Sequence, residues 1–173
     1  MKFSFINPPL NEEVSTREKK KMTGASPPMG ILYVASYLQN QGIDVSLLDA
    51  TAKHLTIEQT ARWVKKEDPD LLGLTTLTCS SRTAPQIAKE AKKENPDLPI
   101  LFGGLHATYN SERILTKYPS VDIAVRGEGE QTALELATCI EKETSLKEVS
   151  GITFRDNGNI ISTPDRPLIR DVD

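Results

Sequence analysis

Five short apolar runs punctuate the chain: Phe3–Ile6, Val45–Leu48, Leu71–Thr75, Ile100–Phe102 and Ile123–Val125. Each has Asp, Pro or Gly close by, and each is too short for a helix. Apolar residues in unbroken succession suit strands buried on both faces. Helical periodicity follows each run. Met29–Leu38 stops before Gln41-Gly42, where Gly42 can supply a left-handed cap. Ile57–Lys66 puts Ile57, Ala61 and Val64 on one face, and Thr83–Glu94 does the same with Ile87, Ala88 and Ala91. Glu130–Glu141 groups Ala133, Leu134, Ala137 and Ile140, while the stretch Asn110–Lys117 carries the weakest pattern.

After the second run the strand starts recur at roughly 25-residue spacing, the period of a strand–helix unit. Alternating strands and helices predict an α/β fold: a flavodoxin-like or Rossmann-like, doubly wound, five-stranded parallel sheet of order 2-1-3-4-5. Two regions break the pattern. Pro8–Pro28 is a long polar connection, of the length usually reserved for lids and binding loops. Gly151–Arg155 and Ile160–Ser162, joined by Asp156-Asn157-Gly158-Asn159, predict a C-terminal β-hairpin. The expected organisation is therefore an α/β domain over residues 1–150, with a hairpin and a Pro- and charge-rich linker over 151–173.

Charge changes this picture by exclusion. With 21 basic against 24 acidic residues the net charge is −3, and no element carries the basic stripe of a nucleic-acid binder. The cluster Arg17–Lys21 contains Glu18 and reads as a solvated segment. No apolar run approaches the ~20 residues of a membrane span. The two cysteines, Cys79 and Cys139, form no CxxC pair, which leaves no iron–sulfur motif and no disulfide framework and fits a reducing cytoplasm.

Ligands of open parallel sheets sit beyond the carboxyl ends of the strands. Five loops therefore hold the candidate chemistry. They are Asn7-Pro8-Pro9-Leu10, Asp49-Ala50-Thr51, Thr75–Arg82, Gly103-Gly104-Leu105-His106 and Arg126-Gly127-Glu128-Gly129-Glu130. Six of the eight residues from Thr75 to Arg82 (Thr75, Thr76, Thr78, Cys79, Ser80 and Ser81) carry a hydroxyl or thiol. They suit an amide-rich or nucleotide-bearing ligand, although some of them can cap the following helix. Gly103-Gly104 lets a bulky group lie on the backbone, or makes a tight turn into a helix. The glycines around Glu128 and Glu130 open a helix, but two carboxylates repel a phosphate, so a dinucleotide site fails here. Those carboxylates suit amide or hydroxyl donors, and Glu130 also complements the helix dipole. Asp49 can bind a ribose or cap its own turn. No catalytic triad, nucleophile elbow or metal-binding His pair is visible, so the chain is not expected to catalyse alone.

With these loops in view, the chain resembles the N-terminal cobalamin-binding domain of the B12-dependent radical SAM proteins, nearly end to end. The resemblance is carried by Asn7-Pro8-Pro9, Ser26-Pro27-Pro28-Met29-Gly30-Ile31, Asp49-Ala50, Gly103-Gly104-Leu105-His106 and Arg126-Gly127-Glu128-Gly129-Glu130. The tail from Gly151-Ile152 to Leu168–Asp173 resembles that family's linker into a radical SAM barrel. The wider cobalamin-binding fold carries Asp-x-His-x-x-Gly after strand 1, Ser-x-Leu after strand 3 and Gly-Gly after strand 4. Here Thr75-Thr76-Leu77 stands in for the second motif, Gly103-Gly104 matches the third, and the first is missing, as is usual in the radical SAM branch.

The resemblance implies base-off cobalamin with no protein imidazole on cobalt. Its dimethylbenzimidazole arm is expected between the third and fourth strand loops, with Thr75 and Thr78 as hydroxyl partners. The implied cofactor-binding set is Asn7, Pro8, Pro9, Asp49, Thr75, Thr76, Leu77, Thr78, Cys79, Gly103, Gly104, Leu105, His106, Gly127, Glu128, Gly129 and Glu130, with no metal ligand. S-adenosylmethionine and a [4Fe-4S] cluster belong to a radical SAM domain in cis, because the CxxxCxxC run is absent here. The parent enzyme is implied to be a methyltransferase or a related radical enzyme. A flavodoxin-like FMN or nucleotide binder and a receiver-like signalling domain share the strand order. The first puts its phosphate loop after strand 1, and the second needs an acidic pair where Asn7-Pro8-Pro9 stands.

Overall fold

The computed structural model describes residues 1–11 and 27–169. Most of the Pro8–Pro28 connection, the Arg17–Lys21 cluster, Ser26 and the last four residues, 170–173, lie outside the described residues.

The five apolar runs become strands β1 (Lys2–Asn7), β2 (Asp44–Asp49), β3 (Leu71–Thr75), β4 (Ile100–Gly103) and β5 (Ile123–Val125). They pair in parallel in the order β2-β1-β3-β4-β5. The helices are α1 (Met29–Asn40), α2 (Ile57–Glu67), α3 (Thr83–Glu94), α4 (Leu105–Lys117) and α5 (Glu130–Glu141). Alternate side chains along each strand supply two cores. Ile6, Leu72, Leu74, Ile100 and Phe102 meet α2, α3 and α4 on one face. Phe3, Phe5, Leu71, Leu101, Ile123 and Val125 meet α1 and α5 on the other. The sheet is thus doubly wound, as its uninterrupted apolar strands require.

Local chemistry sets the element ends. Thr56 and Gln59 form a reciprocal capping box at the start of α2, and Gly42 at φ +81° follows the last turn of α1. α4 begins at Leu105, five residues before the expected Asn110. Gly104, at φ +89°, turns the chain directly from β4 into the helix. The weak pattern around Asn110 has a local cause: its φ of −133° breaks the helical run, and its side-chain amide donates to His106 O at 3.1 Å. Leu105 and His106 therefore lie on a helix rather than in a loop.

The hairpin does more than append to the domain. β6 (Ile152–Asp156) pairs antiparallel with β5, and β7 (Asn159–Ser162) with β6, which extends one sheet to seven strands. Asn157 (φ 49°) and Gly158 (φ 84°) form the two-residue turn. Arg126 fastens this extension. Its guanidinium donates to Ile152 O (2.5 Å), Thr153 Oγ1 (2.6 Å) and Thr163 O (2.5 Å). Beyond the hairpin, Gly151 N donates to Pro164 O at 2.7 Å. Arg166 ion-pairs with Glu135 and donates to Thr132 Oγ1 at 2.9 Å, holding the tail on α5.

One packing feature shapes the face shared with α1 and α5. Phe3 and Phe5 stack with ring centroids 4.1 Å apart. Phe5 lies beside Gly73 of β3, and a Cβ on Gly73 would fall 2.8 Å from the Phe5 ring. Two expectations follow from these contacts. Gly73→Val forces the ring aside and lowers unfolding free energy by roughly 1–3 kcal/mol, the usual cost of overpacking; wild-type stability in a urea titration would refute this placement. Arg126→Ala strips charge-assisted bonds from the hairpin, at about 1.5–3 kcal/mol for the group. Amide exchange should speed up selectively in residues 152–164, and uniform protection there would contradict the stapling role.

Candidate cofactor site

At the carboxyl ends of β1, β3, β4 and β5, a cleft of about 250 Å³ opens between α1 and α5. Phe5, Gly73, Leu101 and Val125 form its floor. Gly30, Ile31 and Val34 of α1 line one wall, and Gly129, Glu130 and Ala133 line the other. Thr75, Gly103, Gly104, Gly127 and Glu128 form the mouth. Six of the chain's 10 glycines line this one cleft. At Gly30, Gly103 and Gly127 a Cβ would meet nothing within 4 Å, so a larger side chain there projects into free space, and at Gly127 a φ of +73° favours glycine as well. Glycine keeps that space open. Gly104 has a different reason: its Cβ would sit 2.9 Å from Thr76 O and 3.1 Å from Thr75 Oγ1. The chain passes against the β3 loop there at positive φ, which only glycine tolerates cheaply.

The loop after β3 divides its polar groups between structure and surface. Thr76 is buried, and both its N–H (2.7 Å) and its hydroxyl (2.9 Å) donate to Gly103 O. Ser80 Oγ accepts from Leu77 N at 3.2 Å, and the Ser81 hydroxyl donates to Thr78 O at 2.8 Å. Asn11, nearly buried, stitches the β1 loop to this one: its N–H donates to Cys79 O at 2.7 Å, and its Oδ1 accepts from Arg82 N at 3.1 Å. Thr83 Oγ1 donates to Pro9 O, and Thr51 Oγ1 to Pro8 O at 2.6 Å. Burial pushes the Cys79 thiol above its ordinary range, so it rests protonated at neutral pH.

Of the residues expected at the site, Thr75, Gly103, Gly104, Gly127, Glu128, Gly129 and Glu130 converge on this cleft. Asn7, Pro8, Pro9, Asp49, Thr76, Leu77, Thr78, Cys79, Leu105 and His106 are not on its lining. Asp49 Oδ1 accepts from Asn7 Nδ2 and from Ala52 N, each at 2.9 Å, so it organises its own turn. Leu77 and Leu105 project from the rim into solvent. His106 borders a smaller hollow with Arg82, Arg113 and Lys117; burial, and then the Arg113 charge, hold its imidazole below its usual pKa. A larger hollow of about 440 Å³ lies around Ala50, Thr51, His54 and Ile57, but among the expected residues it contains only Pro9.

Sequence reasoning missed Phe5, Gly30, Ile31, Val34, Gly73, Leu74, Leu101, Val125 and Ala133 as cleft residues. The signal for two of them was present. Gly73 interrupts an otherwise bulky strand, and Gly30 weakens the first turn of an apolar helix.

The two carboxylates differ. Glu128 Oε2 accepts from Ile169 N at 2.5 Å and ties the tail to the mouth. Glu130 Oε2 is buried and has no hydrogen-bond partner among the described residues. Among the described residues no Lys, Arg or His lines the cleft, and that lining favours neutral groups and hydrogen-bond donors over anions. An apolar, glycine-lined slot with one unsatisfied carboxylate oxygen at its end fits an apolar ring joined to a hydroxyl-bearing group, as in a corrinoid's nucleotide arm.

Comparison with known proteins agrees with this geometry. The chain is 36% identical over 174 residues to an uncharacterized methyltransferase of Pyrococcus horikoshii, covering 100% of this chain and 37% of that protein. It is 35% identical over 175 residues to an anaerobic magnesium-protoporphyrin IX monomethyl ester cyclase of Synechocystis, covering 100% and 34%. The chain thus spans about a third of the length of these relatives. The fold superposes on the radical S-adenosylmethionine methyltransferase TsrM from Kitasatospora setae, solved with cobalamin and a [4Fe-4S] cluster bound. The TM-score is 0.78 at 17% identity, over 99% of this chain and 30% of that one. The cobalamin-dependent S-adenosylmethionine radical enzyme OxsB, with aqua-cobalamin and S-adenosylmethionine bound, gives 0.78 at 24% identity, over 96% and 22%. The family model of the B12 binding domain matches residues 20–137, and the chain belongs to that family.

Proposed function

We propose that this chain holds base-off cobalamin at the carboxyl rim of its sheet, as the cofactor-binding module of a larger, cytoplasmic B12-dependent radical SAM protein. In this reading residues 1–150 carry the cofactor and 151–173 lead toward the radical SAM domain, which contributes S-adenosylmethionine and the [4Fe-4S] cluster. The observation that carries it is the glycine-lined cleft, whose mouth is built by the loops after β3, β4 and β5. Bound cobalamin supplies a cobalt centre able to carry a methyl group, and the parent activity is a methyl transfer or related radical reaction.

The residues of this chain act by binding and positioning. The apolar floor around Phe5 and Leu101 excludes water from the arm, and the Gly103-Gly104 backbone lets it pass close to the sheet. The Thr75 hydroxyl, without a hydrogen-bond partner among the described residues, stands at the mouth, and Thr78 belongs to the rim above it. Asn7, Pro8, Pro9, Asp49, Thr76, Leu77, Cys79, Leu105 and His106 form the surrounding rim, on which the corrin's edge and amides would rest.

The rim is also where apolar surface is exposed. Met29, Tyr33, Leu77, Leu105, Tyr109 and Leu168 are the large apolar side chains left open among the described residues. All fall in the loops, first two helical turns or tail segment at this end. Exposed apolar side chains gathered at the ligand-binding end of the sheet suit a surface that is covered in the complete protein. Here the corrin ring and the domain downstream of the tail would cover it.

Titration with hydroxocobalamin is expected to give saturable binding at one equivalent, with the absorption bands of a base-off corrinoid. Gly103→Trp starts an indole into the cleft from a position whose Cβ meets nothing within 4 Å. It should weaken binding by about tenfold or more, equivalent to ~1.4 kcal/mol, with an unchanged melting temperature. Copurification of a flavin, or full-strength corrinoid binding by this variant, would sink the proposal.

A further inference from the structure

Glu130 opens α5 and lines the cleft, yet its Oε2 is buried and accepts no hydrogen bond among the described residues. An orphaned acceptor of this kind is costly unless something arrives to satisfy it. The positive end of the helix tolerates a carboxylate there, but the carboxylate still lacks a donor. Its neighbours do not compete for one: Gly129 and Ala133 bring no polar side chain, and Glu128 is engaged by Ile169 N.

We infer that Glu130 is the acceptor that reads a ribose hydroxyl of cobalamin's nucleotide arm, making it a specificity-determining residue for the arm. The inference rests on the cobalamin reading above and deepens it. Chemistry sorts the parts of the arm. The phosphodiester is an anion and is disfavoured beside two carboxylates, with no cation lining the cleft among the described residues. The dimethylbenzimidazole, attached to ribose through one nitrogen, has only an acceptor nitrogen and an apolar ring. It suits the floor of Phe5, Gly73, Leu101 and Val125 and has nothing to donate. The ribose hydroxyl is the donor that travels with that ring. The corrin carboxamides also donate, but the macrocycle that bears them is too broad for a cleft of about 250 Å³.

The test compares two corrinoids on the full-length polypeptide by titration calorimetry: hydroxocobalamin, and cobinamide, which lacks the nucleotide arm. Glu130→Ala is expected to weaken cobalamin binding by about tenfold or more, the scale of a lost bond to a charged group. It should leave cobinamide binding within about twofold by the same reasoning. Glu130→Gln keeps an acceptor oxygen and should recover part of the loss. Both variants should lower the melting temperature of the ligand-free protein by no more than a few degrees, the scale of losing one charge at a helix start; a larger drop would mark Glu130 as a structural residue and overturn the assignment. Equal weakening of both corrinoids would place the contact on the corrin and overturn it, as would no weakening of either. If the unaltered protein binds neither corrinoid, the cobalamin reading falls, and this inference with it.

Discussion

The carboxyl end of this sheet is kept from closing. Elsewhere the strands bury large side chains on both faces, and the same packing carried to the ends of β3, β4 and β5 would fill the space between α1 and α5. Six missing Cβ atoms prevent it. At Gly30, Gly103 and Gly127 the omission leaves room. At Gly104 it allows the backbone to press on Thr76. At Gly73 it lets the Phe5 ring lie across β3 as a floor rather than stand into the cleft. A void lined by apolar atoms forgoes the dispersion contacts of a packed core, so a chain that maintains one at the ligand-binding end of a parallel sheet has a use for it.

An open cleft also needs rigid edges, and here the loops supply them from their own hydrogen bonds. Thr76 satisfies Gly103 O twice, Asn11 bridges the loops after β1 and β3, and Asp49 ties Asn7 to its own turn. The hydroxyl-rich loop therefore has two duties. Most of its side chains hold the loop's shape, which leaves Thr75 and Thr78 as hydroxyls without an internal partner among the described residues. Loop polarity alone overstates how many side chains face a ligand, because each inward-turned hydroxyl is already spoken for by a backbone carbonyl.

That division explains what could be read from the amino-acid sequence. The strands and most helices were legible because each owes its position to its own pattern: unbroken apolar runs, a capping pair at Thr56 and Gln59, a glycine after α1. The order β2-β1-β3-β4-β5 followed from that alternation. The glycine pairs at 103–104 and 127–129 were legible as a cleft because they fall just beyond strand ends. The rest depended on contacts between distant segments. Gly73 matters only through Phe5 on the neighbouring strand. Val34 matters only because α1 crosses within 3.1 Å of where a Gly129 Cβ would be. The hairpin's place in the sheet depends on Arg126 reaching three acceptors far along the chain. The early start of α4 was hidden because Gly104 replaces the polar cap that usually announces a helix.

The pair of carboxylates beside Gly127 and Gly129 joins these strands of argument. A sequence element with two glutamates two residues apart suggests one function shared between them. The fold separates them, because Glu128 lies before the helix and Glu130 within its first turn. Glu128 turns to the tail and accepts from Ile169 N, which holds the tail beside the cleft mouth. Glu130 turns into the cleft and is left unsatisfied. The intervening Gly129 keeps the approach of α1 close enough to wall the slot. One short element thereby fixes both the wall of the cleft and the position of the tail segment. The wall of the cleft at Glu130 and the seat of the tail at Ile169 are therefore set by the same turn of backbone.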